Sequence, residues 1–151
     1  MIVFPNTPEQ EVSIALFMQE KALVKPMADA RHIGWVDASN PDEMKLLGAV
    51  CFNTFIGSTC QIHVALNSEG AIISPELPRI IFKLVFDDLK LKKVLGVVNS
   101  NNEKAMRMNI ALGYVEEYRM PGLHDGGGDI VIFSMTKDQC RFLRQEEPEA
   151  A

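Results

Sequence analysis

The sequence KKVLGVVNSNNEKAMRMNIALGYVEEYRM, from Lys92 to Met120, carries clear signals of secondary structure. Its opening part, KVLGVVN, is a β-branched apolar run that predicts a strand. Asn101 and Asn102 are alternative N-caps for a helix, NNEKAMRMNIALG, and Gly113 is suited to end that helix in a left-handed conformation. The strand YVEEYRM follows at once. The stretch therefore predicts two strands of one sheet joined by a polar turn and a capped helix.

The flanking sequence completes an order of strand, helix, three strands, helix, strand, helix and two strands. A strand–helix–strand passage around residues 60–98 predicts a parallel crossover inside an otherwise antiparallel sheet. The expected fold class is mixed α/β, with a single central, mostly antiparallel sheet flanked by helices. We expect residues 1–144 to form one domain and residues 145–151 to form an acidic, disordered tail.

Composition narrows the class of protein. The chain has 151 residues, of which 47% are hydrophobic and 23% charged, as in a globular domain. A net charge of −5 argues against a nucleic-acid partner. The three cysteines form no CxxC pair and fit reduced thiols in a cytoplasmic compartment, and the scattered histidines predict no metal site. No apolar run is long enough to cross a bilayer, so no membrane partner is expected.

Several motifs of the opening stretch occur together in one known family. They are a strand ending at Val98, an asparagine at 102, a helix through Leu112, and Gly113 followed by Tyr114. The closing segment DIVIFSMTKDQCRFL and the upstream hairpin FNTFIGSTCQIHVAL extend the match to about residues 46–143. In these features the chain resembles the GCN5-related N-acetyltransferase family, and most of all its ribosomal-protein acetyltransferase branch and phage-encoded relatives.

The resemblance implies an acyl-CoA N-acyltransferase-like fold that uses acetyl-CoA as co-substrate and acetylates an amine on a protein or small molecule. It implies that the coenzyme lies in a V-shaped gap between the strands at 61–66 and 93–98. There the pantetheine would pair with strand backbone and the phosphates would meet the following loop. The cofactor-binding residues that it implies are Val64, Ala65, Leu66, Gly70, Ala71, Ile72, Asn102 and Asn109.

Two side chains are candidates for the chemistry. His63 shares a strand face with Gln61, and its ordinary pKa suits a general base at neutral pH. The alternative is a histidine that is hydrogen-bonded within the sheet. Tyr118 is the candidate proton donor to the leaving thiolate. The segment PGLHDGGG, which contains His124, is either an acceptor loop or a plain hairpin connection.

Departures from the family pattern keep a second hypothesis open. The loop NSEGAIISPELPR has one glycine, and Ala105 and Asn109 stand where many relatives carry a hydroxyl side chain. These positions favour a catalytically weak or inactive binding or virion-associated phage protein. The expected location is the cytoplasm, that of a bacterial host for a phage-encoded protein. An edge strand in the last hairpin could pair in a homodimer.

Overall fold

The computed structural model describes residues 1–40, 42–43, 45–67 and 76–143. Its elements follow the predicted order. They are β1 Ile2–Val3, α1 Pro8–Ala22, β2 Arg31–Asp37, β3 Lys45–Ile56, β4 Thr59–Leu66, α2 Glu76–Lys83, β5 Lys93–Asn99, α3 Glu103–Leu112, β6 Val115–Met120 and β7 Ile130–Thr136. A π-helical turn, Leu84–Asp88, continues α2, and a 3-10 turn, Lys137–Gln139, follows β7.

Within the described residues seven strands form one sheet, in the order β1-β2-β3-β4-β5-β7-β6. The β1–β2, β2–β3, β5–β7 and β6–β7 pairs are antiparallel. The β4–β5 pair is parallel and runs from Thr59 opposite Lys93 to Gln61 opposite Leu95. The predicted mixed α/β fold class and the parallel crossover through a helix are therefore confirmed.

The described residues fall into two compact units. Those of Met1–Phe55 and Ile62–Ile73 form unit 1, and those of Ile56–Gln61 and Ser74–Ala151 form unit 2. The prediction of a single domain over residues 1–144 stays a prediction. The tail at 145–151 lies outside the described residues.

In unit 1, Thr7 and Pro8 mark the beginning of α1. Thr7 Oγ1 accepts a hydrogen bond from the Gln10 amide at 3.2 Å, and Pro8 occupies the first turn. One face of the helix packs on the sheet, and the buried cluster consists of Ile14, Met18, Ala49, Cys51 and Ala65. Burial of this apolar face supplies the stability that a 15-residue helix lacks in isolation.

In unit 2, aromatic packing joins α2 to the segments around it. Phe82 stacks on Phe86 and Phe142 with ring centroids 6.3 and 5.7 Å apart, and it meets Tyr114 at a tilt. Tyr114 is buried. The strands beneath contribute buried side chains from Val94 on β5 and from Val131, Phe133 and Met135 on β7.

Candidate active site

His63, the predicted base, lies in unit 1 on β4 and is hydrogen-bonded to the neighbouring strand. Its Nε2 is 3.0 Å from Oδ1 of Asn53 on β3. Asn53 is only 4% exposed, and the Thr54 hydroxyl donates to the same oxygen at 3.2 Å. Burial lowers the pKa of His63 below the ordinary 6.5. The ring is therefore neutral at pH 7, which is the state that a general base requires.

The predicted cofactor residues of β4 follow His63 directly. Ala65 is buried in the cluster beneath α1, whereas Val64 and Leu66 are half-buried. The end of the strand is held by Asn67, whose backbone amide donates to Leu47 at 2.9 Å. These three residues could bind a ligand mainly through their backbone N–H and C=O groups, since their side chains are apolar. Gly70, Ala71 and Ile72 lie outside the described residues.

In unit 2, Asn102 is the N-cap of α3, and this resolves the choice between Asn101 and Asn102. Its Oδ1 accepts a hydrogen bond from the Ala105 amide at 3.1 Å. In the described part of the chain no group accepts a hydrogen bond from its Nδ2, so the amide keeps two donors available while it caps the helix. At the other end Gly113, with φ of 100°, forms the predicted left-handed C-cap.

Asn109, also predicted to bind the coenzyme, lies in the middle of α3 and faces β5. Its Nδ2 donates to the Ala105 carbonyl at 2.8 Å, and its Oδ1 would be 2.6 Å from a Cβ added at Gly96. Gly96 therefore makes room for this amide. Since the parallel ladder ends at Leu95, the backbone of residues 96–99 pairs only with β7 among the described strands. Unpaired backbone of this kind could bind an amide-bearing ligand.

Tyr118, the predicted acid, lies on β6 and is 62% exposed. The loop after β6 is held at its far end by Asp129, whose carboxylate accepts from the Gly122 amide at 2.9 Å and from Arg119 at 3.2 Å. Ser100 ties the same residue to the turn after β5, because its hydroxyl oxygen accepts a hydrogen bond from the Asp129 amide at 2.8 Å. These contacts favour a structured hairpin connection over a loose acceptor loop.

Sequence reasoning missed Asn53 and the Ser100–Asp129 contacts. Asn53 carries a local signal, because it is a polar residue within the largely apolar stretch AVCFNTF. A buried amide needs a partner, so such a residue marks a hydrogen bond in the core. The Ser100–Asp129 pair spans 29 residues and has no comparable local signal.

Comparisons with known proteins bear on the fold. Neither a protein-family model nor a curated protein matches the chain. A mutant form of the spermidine/spermine N-acetyltransferase SpeG from Vibrio cholerae matches with a TM-score of 0.71 and 16% identity, over 97% of this chain and 99% of that one. The ribosomal-protein-S5-alanine acetyltransferase from Vibrio fischeri matches with a TM-score of 0.66 and 17% identity, over 91% and 92%.

A third structure is a dodecameric spermidine N-acetyltransferase from Vibrio cholerae. It matches with a TM-score of 0.62 and 20% identity, over 80% of this chain and 71% of that one. These identities are low, so the likeness defines the fold. The chain has the fold of the GCN5-related N-acetyltransferases, and the resemblance drawn from residues 46–143 is confirmed at that level.

No helix in the described ranges is long and apolar enough to span a membrane.

Proposed function

We propose that the protein is an N-acetyltransferase that transfers the acetyl group of acetyl-CoA to an amine of a protein or small molecule. One observation carries the proposal. The fold matches enzymes of this class over 97% and 91% of the chain, so the likeness extends over nearly the whole chain. Fold alone does not fix an activity, and the residues described above supply the remaining support.

The residues of each unit fit a pantetheine-bearing coenzyme. In unit 2, the Nδ2 donors of Asn102 are available and the β5 backbone at 96–99 pairs on one side only. Asn109 could add an amide once it leaves the Ala105 carbonyl. In unit 1, backbone of Val64, Ala65 and Leu66 is the proposed contact. For the phosphates the resemblance implies Gly70, Ala71 and Ile72.

The chemistry requires a neutral amine that attacks the thioester carbonyl. His63, which is neutral at pH 7, would take the proton from the amine directly or through one water. The new C–N bond forms, the C–S bond breaks, and the coenzyme leaves as a thiol after it gains a proton from Tyr118 or water. Holding the amine against the thioester supplies much of the rate, because it replaces a bimolecular encounter.

The names of the matched enzymes suggest two acceptor classes, spermidine or spermine and an alanine of a ribosomal protein. The test measures release of the coenzyme thiol with spermidine, with a peptide that begins with alanine, and with the same peptide blocked at its amine. Mass spectrometry of the acceptor must show one added acetyl group. We expect release with one unblocked acceptor class.

Release that is equal with the blocked peptide would be hydrolysis of the thioester, and it would contradict acetyl transfer. The absence of both release and saturable coenzyme binding would reject the enzyme in favour of the binding-protein hypothesis.

We propose that the protein acts in a bacterial cytoplasm, which is that of the host if a phage encodes the chain. We also propose that it forms a homodimer. Cys51, Cys60 and Cys140 are buried thiols, which supports a reducing compartment. β6 lies at one end of the strand order and its residues are largely exposed, which supports pairing with a second copy. Light scattering after size exclusion measures the mass. A monomer at high micromolar concentration would contradict the dimer.

A further inference from the structure

We propose that Asn53 is a positioning residue that keeps the proton of His63 on Nε2, so that Nδ1 is the atom which accepts the proton of the substrate amine. The inference rests on the proposed role of His63 as the base, and it adds which ring nitrogen acts and what fixes it.

The argument begins with the contact between the two side chains. His63 Nε2 and Asn53 Oδ1 are 3.0 Å apart, the usual length of an N–H···O hydrogen bond. An amide oxygen has lone pairs and no proton to give, so the ring nitrogen that faces it must carry the hydrogen. A neutral imidazole has one N–H. With Nε2 protonated, the lone pair available for base chemistry is therefore on Nδ1.

The orientation of the Asn53 amide is supported by a second donor. Thr54 Oγ1 lies 3.2 Å from the same oxygen and can give it a hydrogen bond. Asn53 is 4% exposed, so water does not compete freely for this oxygen. If Nε2 carried no hydrogen, its lone pair would face a lone pair of the Asn53 oxygen. This arrangement is unfavourable, because the buried oxygen would lose one hydrogen-bond donor.

The backbone at this point is also unusual. Thr54 has φ of 53°, in the left-handed region that β-branched residues rarely adopt. Such conformations persist where surrounding contacts over-determine them, and they cluster at functional sites. Here the strained residue is the one whose hydroxyl meets the Asn53 oxygen. The strand therefore keeps an unfavourable conformation beside the amide that orients His63.

The test is nitrogen NMR of the full chain with ¹⁵N-labelled histidine, at a pH where the ring is neutral. The His63 signals are assigned by their loss in His63→Gln. We expect the proton on Nε2, with an N–H signal protected from solvent exchange. In Asn53→Leu this N–H should exchange about 2- to 13-fold faster, as expected for the loss of one net hydrogen bond. Asn53→Asp keeps an acceptor oxygen and should keep the protected signal.

A proton on Nδ1 in the wild type would overturn the inference, and so would an Nε2–H whose exchange is the same in Asn53→Leu. If Asn53→Leu does not fold, the inference is decided by which nitrogen is protonated in the wild type and by whether Asn53→Asp keeps the protected N–H. Thiol release by the wild type tests the proposed function separately. A protected Nε2–H in a protein that shows neither thiol release nor saturable coenzyme binding would refute the function and leave the assigned proton in place. In an active enzyme, Asn53→Leu should lower kcat with little change in the KM for acetyl-CoA.

Discussion

At the scale of single residues, His63 shows how burial sets chemistry. Burial lowers its pKa below 6.5, while in the unfolded chain the pKa stays near that value. As the pH falls below about 6.5 the unfolded state binds the proton first, so the free energy of unfolding falls until the pH reaches the folded pKa. Above 6.5 both states are neutral and the contribution is constant.

The predicted outcome is that wild type loses stability between pH 6.5 and the folded pKa of His63, and that His63→Gln loses less over the same window. Urea unfolding at several pH values measures this. His124→Gln is the matched control, because His124 lies in the exposed loop after β6. An identical pH slope in wild type and His63→Gln would show that another group is responsible.

His63 should also govern the rate. Removal of a general base typically lowers kcat/KM by about 10²–10⁴-fold, so His63→Gln should lose activity to that extent. The wild-type profile should fall as the pH drops through the depressed pKa of His63, and the variant should lack this limb. Steady-state kinetics from pH 5 to 9 measure both effects. A folded His63→Gln protein with unchanged kcat/KM and pH profile would show that His63 is not the base, and that the rate comes from positioning of the substrates.

Gly48 lies at a tightly packed position in unit 1, where an added side chain would lack space. A Cβ at this position on β3 would overlap the ring of Trp35, which is 7% exposed and cannot move outward freely. Gly48→Ala should therefore destabilise the protein by about 1–3 kcal/mol, the usual cost of overpacking. Trp35→Phe makes room, so the double variant should lose less than the two single losses added together. Purely additive losses in urea unfolding would contradict the proposed overlap.

At the scale of elements, the two capped helices offer a matched comparison. Asn102 caps α3 and Thr7 caps α1, each through one side-chain oxygen. Asn102→Ala and Thr7→Ala should each cost about 0.5–2 kcal/mol of stability. Only Asn102→Ala should also weaken acetyl-CoA binding, measured by calorimetry, because it removes the Nδ2 donors. Equal effects of both variants on the affinity for acetyl-CoA would show that Asn102 acts only as a helix cap.

Local signals explain which elements the sequence could predict. Caps, glycine stops and β-branched runs act within a few residues, and α1, β5 and α3 appear where those signals stand. A regular α-helix would continue beyond α2 with each amide bonded to the carbonyl four residues back. The Leu89 amide instead bonds to the Leu84 carbonyl at 2.8 Å, five residues back. Phe86 is buried at the i+4 spacing from Phe82 that a regular helix predicts, so the wider turn itself is the feature that no local signal marks.

At the scale of the whole molecule, contacts between distant residues limit what the sequence can predict. The parallel crossover followed from element order and the handedness rule, both of which are global constraints that one sequence reveals. The pairing of His63 with Asn53 depends on the register of a hairpin, and that register is set by packing and turn geometry. The fold could therefore be predicted, whereas the partner of the candidate base could not.

Coenzyme binding predicts a change in the stability of the whole chain. A ligand that binds only the folded state adds about 2.7 kcal/mol at 100 times its Kd, or roughly 5–10 °C in Tm for a chain of this length. The segment NSEGAIISPELPR, which the resemblance implies for the phosphates, contains one glycine and two prolines, and the net charge of −5 opposes an anionic ligand. We therefore expect weak binding, with a shift that grows up to millimolar acetyl-CoA.

Added salt screens the repulsion between the chain and the coenzyme, so a moderate increase in ionic strength should enlarge the shift at a fixed coenzyme concentration. Asn102→Ala should show a smaller shift than wild type, and Thr7→Ala the same shift from a lower starting Tm. Differential scanning fluorimetry across a coenzyme titration measures all three proteins. Saturation below one micromolar would contradict the weak binding. A flat titration to millimolar acetyl-CoA would contradict coenzyme binding itself and, with it, the transferase.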